Sequence, residues 1–183
     1  MTESSSRTAD LINVVLEHAQ KTDKPNFTQC QLVLQSLNAD PHDFRVLRQV
    51  MEQRLNLSPT LDALTTIEAV RDAITKTAIT DSKFNFTQYQ LRLQEFGELA
   101  TSEDFATLRR LLTVKFKLPE VSVQTFLADA EANVRATPKI KNNYTQLQLV
   151  IQEQQQQHNY YSKLCVILEE DYKLTPILNF SQK

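Results

Sequence analysis

Apolar residues along this 183-residue chain recur every third or fourth position for a dozen residues at a time, the spacing that gathers one stripe of an α-helix against a core. Leu61, Leu64, Ile67, Val70 and Ile74 form one such stripe. Three others follow a common order: Phe44, Leu47, Met51 and Leu55; Phe105, Leu108, Leu112 and Phe116; Tyr161, Leu164, Leu168 and Tyr172. The pattern predicts helices over 8–20, 28–38, 41–56, 59–78, 87–99, 102–117, 120–136, 145–157 and 159–173.

The stripes belong to a longer recurrence. NFTQ occurs at Asn26 to Gln29 and again at Asn85 to Gln88, and NYTQ follows at Asn143 to Gln146, so the copies stand 59 and then 58 residues apart. The match continues as NFTQCQLVLQ, NFTQYQLRLQ and NYTQLQLVIQ, and then as DFRVLRQVMEQRLNL, DFATLRRLLTVKFKL and YYSKLCVILEEDYKL. A near-constant period marks an internal duplication. The expected fold is therefore all-α: three tandem three-helix repeats with a period of about 58 residues, packed as a short α-solenoid-like array. A single compact bundle is the alternative. The expected divisions are a disordered tail at 1–7, repeats at 8–57, 58–118 and 119–175, and a C-terminal tail or stub of a further repeat at 176–183.

The repeated word reads as a helix start. Thr28 with Gln31 has capping-box spacing, as do Thr87 with Gln90 and Thr145 with Gln148. Phe27, Phe86 and Tyr144 before those threonines, with Leu32, Leu91 and Leu149 behind, have the spacing of a hydrophobic staple. Asp40-Pro41 and Ser58-Pro59 place a capping residue before a proline at the first helical position, and Ser102 precedes the acidic pair Glu103 and Asp104.

Composition narrows the class. One glycine and six prolines leave little for the tight corners of a β fold or for a phosphate-cradling loop. A formal charge of −2 and a pI near 5.9 do not give the broad basic footprint of a nucleic-acid binder. Cys30 and Cys165 stand far apart with no ligand spacing, which points to buried thiols in a reducing, cytoplasmic setting. The first ten residues, MTESSSRTAD, lack the basic-then-apolar pattern of a signal peptide, and no run of eighteen apolar residues occurs, so neither secretion nor a membrane is expected. Each repeated word also matches the glycosylation acceptor pattern, and structural capping is the preferred reading of it.

Chemistry is sparse. His18, His42 and His158 occupy unrelated places in the three repeats, with no metal-ligand spacing, and no nucleophile elbow, P-loop, dinucleotide fingerprint or HExxH occurs. No catalytic residue, metal, cofactor or small-molecule substrate is expected. Gln35, Gln94 and Gln152 each follow the capping glutamine by four residues, and Gln29, Gln88 and Gln146 add a third repeated amide. These are a solvated helix face, or a ladder of amides that binds a partner or bonds each unit to the next. Arg109, Arg110, Lys115 and Lys117 make the third helix of repeat two its most basic element. The leading expectation is a non-catalytic, cytoplasmic protein-protein interaction or adaptor scaffold whose partner is another protein or a further copy of itself, with those amides and basic residues as candidate partner contacts. The alternative is a nucleic-acid-associated helical protein that uses the basic patch of repeat two.

Overall fold

The computed structural model describes residues 3–121, 128, 143–154 and 159–178, with backbone only at 3–6 and 159. Among the described residues every regular element is a helix, with no strand. The helices are α1 (Glu3–Lys21), α2 (Phe27–Ser36), α3 (Pro41–Leu55), α4 (Ile67–Thr77), α5 (Phe86–Glu95), α6 (Ser102–Phe116), α7 (Tyr144–Glu153) and α8 (Asn159–Tyr172), with 3-10 turns at Leu61–Ala63 and Gly97–Leu99. The expected helix at 120–136 lies almost wholly outside the described residues, as do His158 and the ends of the expected helix at 145–157 and of the C-terminal tail.

Several boundaries differ from expectation. Residues 1–7 were expected to be a disordered tail, yet α1 already runs from Glu3. The stretch 59–78 is not one helix. Leu61 is fully buried and gives its backbone N–H to Glu52 Oε2 at 2.9 Å, while the Pro59 carbonyl accepts from Gln88 Nε2 at 3.1 Å. Backbone groups turned outwards to other helices cannot sustain a helical ladder, so α4 starts later, where Thr66 Oγ1 accepts from Ala69 N at 3.1 Å. The Ser58–Pro59 bond is cis. In repeat two the cap of α6 is Thr101 rather than Ser102: its hydroxyl accepts from Asp104 N, and Asp104 Oδ2 accepts from Thr101 N at 2.8 Å.

The central correction concerns NFTQ. The caps are Asn26, Asn85 and Asn143, whose Oδ1 atoms accept from Gln29, Gln88 and Gln146 N at 2.8 Å in each case. Thr28, Thr87 and Thr145 are the second residues of these helices, half-buried, and not caps. Asn ranks at least as high as Thr as a cap, and capping at Asn makes Phe27, Phe86 and Tyr144 the first helical residues, where they are 7%, 5% and 5% exposed. Burial of an aromatic ring at each start decides the register. The staple pairing expected for those rings falls with it, and Gln31, Gln90 and Gln148 are released from capping.

Helices α3, α6 and α8 end alike. Asn56, Lys117 and Lys173 take left-handed backbone angles, with φ of 54°, 55° and 55°. The next residue, Leu57, Leu118 or Leu174, donates its N–H to the carbonyl of Glu52, Thr113 or Glu169 at 2.8–2.9 Å, which closes a Schellman motif. The core stripes hold over their first three positions: Phe44, Leu47 and Met51 are buried, as are Leu108, Leu112, Leu164 and Leu168, with Phe105 and Tyr161 half-buried. The fourth positions, Leu55, Phe116 and Tyr172, are exposed.

Packing runs across the repeats as much as within them. Helix α3 lies on α5, α6 on α7, and α8 on α2. Two buried clusters result. One joins α1, α2 and α3 to α7 and α8; the other is built around α4, α5 and α6. Leu91 of α5 sits in the first and Leu149 of α7 in the second, so each interior contains a leucine from a neighbouring repeat.

Candidate functional site

The polar residues that recur in the sequence meet between repeats. Gln31 Nε2 donates to Gln94 Oε1 at 2.8 Å, Gln90 Nε2 to Gln152 Oε1 at 2.6 Å, and Gln148 Nε2 to Gln35 Oε1 at 2.8 Å. The bonds pass from α2 to α5, from α5 to α7 and from α7 back to α2, always from the first amide of one helix to the second amide of the next. Gln31, Gln90 and Gln148 are fully buried and Gln35 is buried. The solvated-face reading is therefore corrected: these amides bond one unit to another, one of the two destinations considered for the ladder. As candidate partner contacts, Gln35, Gln94 and Gln152 already serve as acceptors inside the molecule.

The third repeated amide completes each seam. Gln88 Nε2 donates to Glu52 Oε2 at 2.8 Å as well as to the Pro59 carbonyl. Gln146 Nε2 donates to the Pro119 carbonyl at 2.8 Å and to Thr113 Oγ1 at 3.4 Å, and Gln29 Nε2 to Glu169 Oε2 at 2.9 Å and to the Thr175 carbonyl at 3.0 Å. The same amide thus tethers the ends of α3, α6 and α8, and the chain leaving them, to the starts of α5, α7 and α2 respectively.

Ion pairs lie beside two of the seams. Arg48 is fully buried between α3 and α5. Its guanidinium donates to Glu52 at 2.9 Å, Asp62 at 2.7 Å and Glu95 at 3.1 Å, and Glu95 also accepts from Arg92 at 2.7 Å. Burial acts against the charge on Arg48, but the carboxylates outweigh it and hold the guanidinium above its ordinary pKa. At the equivalent place between α6 and α7, Arg109 pairs with Glu153, and with Glu120 at 3.2 Å. The position in α8 that matches Arg48 and Arg109 is Cys165, and the position in α2 that matches Glu95 and Glu153 is Ser36. Cys165 and Cys30 are both free and buried; burial pushes the Cys30 thiol up to about 12 and raises Cys165 as well. Neither is a reactive thiolate near neutrality.

The basic group of repeat two does not assemble into a patch. Arg109 faces α7, whereas Arg110 pairs with Glu103 on the exposed side of α6. Lys115 Nζ donates to the Asp81 carbonyl at 2.7 Å and lies 5.8 Å and 5.7 Å from the ring centres of Phe84 and Phe86. Lys117 is the left-handed residue that ends α6. His18 is paired with Thr22 Oγ1 at 3.1 Å, with its pKa lowered by burial, and His42 is exposed. Among the described residues no group of three His, Cys, Asp or Glu could hold a metal ion, and no helix is long and apolar enough to cross a membrane.

Sequence reasoning missed Arg48, Glu52, Glu95 and Glu153. The signal was present: Arg48 of α3 and Arg109 of α6 occupy one aligned position of the recurring sequence, and Glu95 of α5 and Glu153 of α7 another. At the surface the repeat leaves a different mark. Leu55, Phe116 and Tyr172 share a position and are 50%, 52% and 53% exposed. Phe116 meets the ring of Phe86 at 5.9 Å and Tyr172 that of Tyr144 at 5.8 Å, so in repeats two and three this side chain stands beside the start of its own second helix. No protein-family model, curated protein or solved structure matches the chain.

Proposed function

We propose that the chain is a non-catalytic scaffold of three tandem three-helix units, closed into a ring rather than strung out as an open array, that presents a protein-protein interaction surface in the cytoplasm. The ring reading is supported by the amide bonds that return from α7 to α2 and by the packing of α8 on α2. The scaffold reading rests on one observation: the recurrent polar residues are engaged inside the molecule, while the recurrent apolar position, Leu55, Phe116 and Tyr172, is left half-exposed. Large apolar side chains held at the surface at equivalent places suit contact with another protein, or with a second copy of this one. Two free, buried thiols favour a reducing compartment.

Light scattering on the full chain over a range of concentrations, with capture of a partner from the native host, tests this reading. Replacing Leu55, Phe116 and Tyr172 together by serine should abolish whichever association the parent protein shows, with the helical circular dichroism intact. A parent chain that stays monomeric and captures nothing, or an association indifferent to the triple replacement, would refute the proposal. The basic residues of repeat two enter as a control: Arg110→Glu should leave the association unchanged, since that side chain already pairs with Glu103.

A further inference from the structure

The seam glutamines leave a residue of unmet hydrogen bonding. Gln31 Oε1, Gln90 Oε1 and Gln148 Oε1, equivalent atoms of three helices, are out of solvent and have no partner, and neither has the buried Gln35 Nε2. Buried polar atoms are almost everywhere satisfied by protein or by ordered water, so four orphans in one set of amides call for a ligand. We propose that the layer enclosed by α2, α5 and α7 at Gln31, Gln90 and Gln148 is a binding site for internal water, occupied by a hydrogen-bonded pair of molecules. The site stands on these hydrogen bonds and not on the scaffold reading, so either can fail alone.

The chemistry of the orphans selects the ligand. Three are acceptors and one is a donor, so the occupant must both donate and accept. A cation would meet the three oxygens but be repelled by the Gln35 amide hydrogens, and Gln31, Gln90 and Gln148 supply no negative charge to offset the loss of its hydration. An anion meets the opposite conflict. Two waters close the count. Gln148 and Gln35 already share a bond at 2.8 Å, so their orphan atoms belong to one amide pair. One water accepts from Gln35 Nε2 and donates to Gln148 Oε1; its second hydrogen goes to the other water, which donates to Gln31 Oε1 and Gln90 Oε1. Turning a bonded pair of amides over together exchanges an orphan oxygen for an orphan amide, and water serves either, whereas an ion serves one. A polar, enclosed place with two to four partners per molecule is where buried water is retained.

The test uses the full chain: a crystal structure at atomic resolution, paired with nuclear Overhauser measurements between water and the glutamine side-chain amides. The expected result is two solvent peaks within hydrogen-bond distance of the four orphan atoms and long-lived water contacts at the Gln35 amide. Gln90→Met removes one acceptor and should lose the contact at that atom while the water beside Gln35 and Gln148 persists. Soaks with thallium(I) and with bromide distinguish an ion: either heavy atom taking the site would overturn the proposal. So would amides that satisfy one another directly with no solvent between them, a result the parent structure gives even if the variant does not fold.

Discussion

Replacing Arg48 by methionine tests most directly whether the seams hold the molecule together. The guanidinium is fully buried, and the side chains of its partners Glu52 and Glu95 are 3% and 4% exposed, whereas that of Asp62 is 46% exposed. Removing one member of a buried ion pair costs about 3–5 kcal/mol, because the remaining charges stay out of water uncompensated. Here Glu52 keeps Gln88 and the Leu61 N–H, and Glu95 keeps Arg92, which moves the expectation to the lower end, about 3 kcal/mol. Asp62, being half in water, adds no more than a surface pair does. Methionine fills irregular space, so the cavity contribution is small. In a chain of this size each kcal/mol shifts Tm by about 2–4 °C, which makes the expected drop roughly 6–12 °C. Urea unfolding at neutral pH, followed by circular dichroism, measures the difference, with Arg45→Met on the exposed side of α3 as the comparison. Adding Glu95→Gln to Arg48→Met should recover part of the loss. If Arg48→Met is no more harmful than Arg45→Met, the seam is not a source of stability and the reasoning fails.

Three further outcomes follow from the same geometry. Asn85→Ala should lower stability by about 1 kcal/mol through the lost cap, while Thr87→Ala changes it by less than about 0.5 kcal/mol; the reverse order in urea midpoints would restore Thr87 as the cap. Leu108→Ala, at a fully buried position, should cost about 2–5 kcal/mol, and a loss below that of Asn85→Ala would contradict the packing. Acid should destabilise the fold through Asp62 and Asp104. The hydrogen bond from Arg48 holds Asp62 below the usual carboxylate range; at Asp104 burial pushes upwards but Arg71 and the Thr101 N–H outweigh it, leaving that carboxyl low as well. Carboxyls depressed in the folded state contribute fully above their unfolded pKa, about 3.9, and lose that contribution as pH falls through the lower folded value. A pH titration of the unfolding midpoint should be flat in these contributions down to about pH 5 and fall below 4, less steeply in Asp104→Asn; an unchanged acid limb in that variant would refute the assignment.

Helix existence was legible because apolar spacing and terminal residues act locally, within one or two turns. The cap register was not, because Asn26 and Thr28 are both good capping residues two positions apart, and the choice depends on where Phe27 finds cover. The destination of the glutamines was out of reach for a different reason: Gln31 and Gln94, or Gln148 and Gln35, are neighbours only once α2, α5 and α7 have packed. An amide stripe on a helix looks the same in sequence whether it faces water or another amide stripe. The break at Leu61 likewise follows from a carboxylate of the preceding helix, Glu52, and leaves no mark in the local pattern. The basic residues of repeat two do not form a group because Arg109 and Arg110, adjacent in sequence, stand about 100° apart around α6, one against Glu153 of α7 and the other beside Glu103 at the surface.

The substitution of Cys165 and Ser36 at the junction where the other two repeats place an arginine and a glutamate has a mechanical consequence. Pulling α3 from α5, or α6 from α7, separates opposite charges that are buried or largely so; lifting α8 from α2 parts apolar side chains and breaks the bond from the neutral Gln29 amide to a single carboxylate, Glu169. Of the three junctions, that between α8 and α2 therefore holds by apolar packing and amide bonds instead of by paired charges.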